Sequence, residues 1–173
     1  KKLGNPTVLG LDPKLEYIPV SIRNKNAELY GNTFKAASEC ILEFNKRLID
    51  AVSDIIPAVK PQLAYYEMYG TEGLRAFEET VRYARDRGML VIADGKRNDI
   101  GSTSEAYSRA YLGETFLEEG VSRPVYDTDA LTVNGYLGID GIKPMIEDCI
   151  EYGKGIFVLV KTSNPSSVQL QDM

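Results

Sequence analysis

Short, almost wholly apolar runs alternate along this chain with longer stretches whose apolar residues recur every three or four positions. That alternation limits its possible folds more than any other feature. The runs are residues 7–11, 57–62, 89–93, 129–133 and 155–160. Between them, 33–53 reads as a long amphipathic helix with Phe34, Ala37, Ile41, Phe44, Leu48 and Val52 on its buried face. Residues 71–87 form a second, packed through Leu74, Phe77, Val81 and Ala84 and stopped by Gly88. A third spans 102–112, with Ser102 or Thr103 available as cap, and a fourth spans 140–152, burying Ile142, Met145, Ile146 and Ile150 before Gly153. Residues 15–32 read as loop and 113–127 as a partly helical insertion. About five parallel strands with intervening helices follow from this order. An open doubly wound sheet and part of a (β/α)8 barrel, which needs about 250 residues, both fit it.

A chain of 173 residues with 43% apolar and 26% charged residues suits one soluble domain, 1–173. Its net charge of −5 argues against nucleic acid or an anionic membrane as partner, since both select a basic surface. There is no histidine, which removes Ser-His-Asp and Cys-His catalysis, histidine metal sites and histidine bases. Proton chemistry is left to Lys, Asp, Glu, Tyr or Cys. Cys40 and Cys149 lie far apart in helical stretches and read as buried thiols, which fits a reducing cytoplasm. No run reaches transmembrane length and no signal peptide is visible; the chain opens on Lys1.

Charge concentrates where the third run ends. Asp94-Gly95-Lys96-Arg97-Asn98-Asp99 places four ionisable groups in six positions, closed by Ile100-Gly101. In parallel α/β folds the carboxyl ends of strands are where ligands gather. Asp94 and Lys96 are two apart, so on an extended strand both project to one face. Asp12, before Pro13, and Lys60 also fall at strand ends; alone, Asp12 reads equally as a turn residue and Lys60 as a solvated rim lysine. Lys60, Asp94, Lys96 and Asp99 together read either as a solvated cluster or as a network of alternating sign in which each charge keeps its neighbours ionised.

The pattern Asp94-x-Lys96-x-x-Asp99-Ile100 resembles the DxKxxDI signature of the orotidine 5′-phosphate decarboxylase family. Four further pieces match in order: Leu9-Gly10-Leu11-Asp12-Pro13, Val59-Lys60-Pro61-Gln62, Thr132-Val133-Asn134-Gly135-Tyr136-Leu137-Gly138 and Lys161-Thr162-Ser163-Asn164-Pro165. The resemblance covers almost the whole chain and is nearest the longer bacterial-type branch. It implies a TIM (β/α)8 barrel of which only about the first five βα units are present. The family's phosphate-gripping glutamine and Gly-Arg pair would lie beyond Met173, so the 173 residues alone are expected to turn substrate over poorly.

The activity implied is decarboxylation of orotidine 5′-monophosphate to uridine 5′-monophosphate in pyrimidine biosynthesis, without metal or cofactor. Loss of CO₂ leaves a carbanion in the plane of the ring, where π-delocalisation helps little. Lys96 would stabilise that charge and protonate the carbon, with Asp94 positioning it. Asp12 and Lys60 would hold ribose hydroxyls, and Ser163 with Asn134 the pyrimidine edge, although Gly135 stands where the family often has proline. Asp99, Ile100 and Thr103 would complete the site of the opposite subunit in a homodimer. Two rivals stand beside this reading. One is an Mg²⁺-dependent relative such as 3-keto-gulonate-phosphate decarboxylase or hexulose-phosphate synthase, which carries an acid where this chain has Lys60. The other is an inactive fragment of the barrel.

Overall fold

The computed structural model describes residues 3–172; Lys1, Lys2 and Met173 lie outside the described residues. The chain divides into two compact units, Lys1–Asp94 and Gly95–Met173.

In the first unit β1 (Val8–Leu11) is followed by a 3₁₀ turn (Leu15–Tyr17), α1 (Val20–Tyr30) and α2 (Phe34–Val52). Then come β2 (Ala58–Pro61), α3 (Ala64–Glu67), α4 (Gly70–Asp86) and β3 (Leu90–Arg97), whose last three residues enter the second unit. β1 pairs with β2 in parallel, Gly10 opposite Lys60, and β2 pairs with β3 in parallel, Val59 opposite Val91. Thr33 starts α2 by accepting the Ala36 amide on its side-chain oxygen at 3.1 Å. Past the end of α4, Gly88 turns the chain at φ +73°, a conformation that glycine adopts without a Cβ penalty. Ile41, Ile49, Val59, Phe77, Val81, Ala84 and Val91 are fully buried. The larger of these side chains contribute roughly 1.5–3 kcal/mol each by leaving water.

Two expectations fail here. Residues 15–32 are mostly helix: α1 has little amphipathic pattern, and what holds it is Ile22 in the core, with the buried Asn26 amide returned to the Ile22 carbonyl at 3.0 Å. The buried stripe of α2 is also rotated from the expected one. Ser38, Ile41, Asn45 and Ile49 face inward, whereas Phe34 is exposed. Asn45 takes a core place because its Nδ2 donates to Tyr66 Oη at 2.8 Å and to Thr80 Oγ1 at 3.1 Å, so burial leaves that amide nitrogen satisfied.

The second unit runs α5 (Gly101–Tyr111), β4 (Thr115–Phe116), β5 (Ser122–Arg123), β6 (Ala130–Asn134), α6 (Ile139–Tyr152), β7 (Gly155–Leu159) and α7 (Val168–Gln171). β6 and β7 are parallel over five pairs, from Ala130 opposite Gly155 to Asn134 opposite Leu159. The segment expected as a partly helical insertion holds one 3₁₀ turn, at Glu118–Gly120, between the strands of the small antiparallel β4–β5 pair. α5 starts at Gly101 behind Ile100, with neither Ser102 nor Thr103 as cap. On α6 only Gly141 and Met145 are buried, and Ile146 and Ile150 are exposed. α6 meets α5 through small and polar groups, Ser104 Oγ donating to the Gly141 carbonyl at 2.8 Å and Ser108 Oγ to that of Pro144 at 3.3 Å. The inward stripe is therefore the Gly141–Met145 row, one position round from the isoleucines. Of the two cysteines, Cys40 is buried and Cys149 half-buried, both as free thiols.

Candidate active site

The strand ends of the first unit converge on one carboxylate. Parallel registry brings Gly10 level with Lys60, and the Gln62 amide extends the ladder by donating to the Leu11 carbonyl at 3.0 Å. Gln62 is also bridged to Asp94. Lys60 Nζ stands 2.6 Å from Asp94 Oδ2, and Gln62 Nε2 donates to the same oxygen at 3.1 Å. The Asp94 side chain is 8% exposed and that of Lys60 33%. A carboxylate this deep is tolerable because an ammonium and an amide replace its water. Asp12, the residue after β1, is exposed. Below, burial drives the Tyr66 hydroxyl well above its ordinary range, and the Asp12 carboxylate pushes it the same way.

Lys96 departs from the expected geometry. Its φ is +48°, left-handed rather than extended, so strand alternation no longer dictates where its side chain points. The backbone is pinned by its amide, which donates to Thr132 Oγ1 of β6 at 3.0 Å, and the residue is exposed. A non-glycine residue held in this region stores of order 1 kcal/mol, a feature that clusters at functional positions. Arg97 turns back on its own unit, donating to the Gly95 carbonyl at 2.9 Å and to Tyr111 Oη at 3.2 Å, with its guanidinium 5.6 Å from the Tyr107 ring centre. Asp99 Oδ1 accepts the Ile100 amide at 2.8 Å. Ile100 and Thr103 are exposed and Asp99 is half-buried, all three at the start of α5.

At the end of β6, Asn134 Oδ1 accepts the Tyr136 amide at 2.9 Å, which closes the turn the sequence marks at Asn134-Gly135. After β7, Ser163 is exposed on a loop clasped by α7: Gln171 Oε1 accepts the Thr162 amide at 2.7 Å and Gln171 Nε2 donates to Thr162 Oγ1 at 3.0 Å. Lys161 pairs with Asp172. Lys60 and Asp94 thus meet as expected, and Asp99, Ile100 and Thr103 share one helix start. Gln62, Thr132 and Gln171 are partners that the sequence reading missed. Gln62 and Thr132 carried a signal, as the residues ending the Val59-Lys60-Pro61-Gln62 run and opening the Thr132-Val133-Asn134 one. Among the described residues no three His, Cys, Asp or Glu side chains are grouped to hold a metal, and no helix is long and apolar enough to cross a membrane.

Parallel strands with intervening helices, and charge at the strands' carboxyl ends, define an α/β protein, and comparison with known proteins makes it part of a (β/α)8 barrel. Residues 8–173 match the model of the orotidine 5′-phosphate decarboxylase / HUMPS family, and the chain belongs to that family. It is 44% identical to an orotidine 5′-phosphate decarboxylase of Rhodopirellula baltica over 172 residues, 99% of this chain and 55% of that one. It is 41% identical to that of Caldicellulosiruptor saccharolyticus, over 100% of this chain and 56% of the other. A crystal structure from Streptomyces avermitilis, provisionally assigned as the same enzyme, superposes with a TM-score of 0.74 at 33% identity, covering 96% of this chain and 52% of that one. The chain spans about half the length of the curated relatives it matches.

Proposed function

We propose that this protein decarboxylates orotidine 5′-monophosphate to uridine 5′-monophosphate and CO₂, as a cytoplasmic homodimer in pyrimidine biosynthesis. The observation that carries the reading is the Lys60 ammonium held 2.6 Å from the buried Asp94 carboxylate, two residues before Lys96, in a chain of this family. Lys96 is the acid. Its ammonium offsets the charge that develops at the ring carbon as CO₂ leaves, then delivers its proton to that carbon; the products are the protonated pyrimidine and a neutral amine that regains a proton from water. Asp94, fixed by Lys60 and Gln62, orients Lys96. Asp12 and Lys60 hold ribose hydroxyls, and Asn134 and Ser163 meet the pyrimidine edge. Asp99, Ile100 and Thr103, presented together at the start of α5, reach into the partner's site.

A metal held at Asp94 would compete with an ammonium already in contact with it, which disfavours the Mg²⁺-dependent branch. The reading is tested by following loss of orotate absorbance in a chelator-containing assay. The proteins assayed are this chain and the same chain continued by the second half of the Rhodopirellula baltica relative. Turnover by the continued chain that survives chelation supports the proposal. Turnover abolished by chelation, or none while the relative itself is active, overturns it.

A further inference from the structure

The segment carrying Lys96 and Asp99 leads into α5, and Asn98 and Asp99 approach α6 closely at Gly141. Gly141 is buried in the first turn of α6. A Cβ on Gly141 would stand 2.5 Å from Asn98 Oδ1 and 3.0 Å from the Asp99 carbonyl oxygen, with Leu137 Cβ at 3.4 Å. From the other side Ser104 Oγ, fully buried, donates to the Gly141 carbonyl at 2.8 Å. Asn98 Oδ1 is itself buried and accepts no hydrogen bond, and it occupies the space that a Cβ on Gly141 would need. Gly141 has no left-handed φ to explain it, and in a helix glycine is about 1 kcal/mol worse than alanine. The missing side chain is accounted for by close approach.

We propose that Gly141 is a positioning residue for the reaction. Its bare backbone is the surface against which Asn98 and Asp99 seat, and that seat sets where Asp99 and, two residues before Asn98, Lys96 are held. The inference rests on the decarboxylase reading for its activity arm. A methyl group at this point falls about 1 Å short of ordinary contact with Asn98 Oδ1, and a displacement of that size at a reacting group costs on the order of 100-fold in rate.

The test uses Gly141→Ala and the double variant Gly141→Ala/Asn98→Ala in the continued chain. Three readouts are taken: kcat against KM for orotidine 5′-monophosphate, the melting temperature, and amide hydrogen exchange over residues 96–104. Gly141→Ala is expected to lower kcat by roughly 10- to 100-fold with KM changed by less than about threefold, and to speed exchange in that segment. Removing the Asn98 carboxamide should return kcat to within about threefold of the parent and slow exchange again. An unchanged kcat in Gly141→Ala overturns the proposal, as does a double variant no better than the single. A melting temperature that falls while kcat holds assigns Gly141 a purely structural role and also overturns it. Should the parent show no turnover, the decarboxylase reading has failed, and the exchange pattern alone decides whether Gly141 seats the segment.

Discussion

Replacing Lys60 by methionine should cost more stability than replacing Asp94 by asparagine, although both break the same ion pair. Asp94 is the buried partner, its side chain 8% exposed against 33% for Lys60, with Nζ 2.6 Å from Oδ2. Lys60→Met keeps most of the stem's volume but leaves a carboxylate in the interior without its ammonium, the Gln62 amide still 3.1 Å from it. Breaking a fully buried pair in this direction costs about 3–5 kcal/mol. Lys60 is a third exposed, so water reaches part of the gap and about 2–3 kcal/mol is expected. Asp94→Asn leaves a lysine whose long stem can carry its ammonium to solvent, so about 1 kcal/mol is expected there. The assay is urea unfolding of the parent, both single variants and the double variant, in low salt and in 1 M NaCl. Coupling of about 1–3 kcal/mol should persist in high salt, because the ions reach only one partner. Equal costs for the two single variants, or coupling that vanishes in salt, would refute the claim that Asp94 is the desolvated member.

Two further outcomes follow from single residues. Lys96 sits at φ +48°, so Lys96→Gly should raise stability by about 1 kcal/mol while eliminating turnover, as thermal unfolding and activity measured together would show; a loss of stability would contradict the strain. Burial pushes the Tyr66 hydroxyl and the Cys40 thiol upward, so the folded state holds protons that the unfolded chain releases above pH ~8.5 for the thiol and ~10 for the phenol. Their stabilisation is full below those values and declines as pH rises through them. Tyr66→Phe, which forfeits the Asn45 hydrogen bond at a cost of about 1 kcal/mol near neutrality, should show a shallower alkaline decline in pH-dependent urea unfolding. An equally steep decline would remove Tyr66 from the account.

The strands were legible because an apolar run bounded by Gly, Pro or charge has few alternatives. Val8–Leu11, Ala58–Pro61 and Gly155–Leu159 each fall within a residue or two of where composition puts them. What misled was the choice of helix face. Periodicity counts apolar residues and cannot see that Asn45, satisfied by Tyr66 and Thr80, belongs inside while Phe34 lies outside, or that Gly141 rather than Ile150 meets α5. α1 was missed for the same reason, its anchors being Ile22 and a self-satisfied Asn26. In the site, their places at strand ends brought Lys60 together with Asp94. The two-residue spacing from Asp94 misled at Lys96, where a left-handed backbone that no residue type announces ends the alternation. Thr132 lay in a matched piece, but nothing local marks its hydroxyl as the acceptor of the Lys96 amide, and Gln171 acts through a side-chain amide with no local signature.

The central claim is that the Lys96 ammonium stabilises and then protonates the carbon that loses CO₂. Its most direct measurement is a paired one on Lys96→Ala in the continued chain, comparing kcat for orotidine 5′-monophosphate with the Kd for uridine 5′-monophosphate. An acid and a preorganised charge acting only in the transition state are worth on the order of 10⁴-fold in kcat or more, against less than about tenfold in product binding. Equal losses in the two, or a kcat within tenfold of the parent, would contradict it.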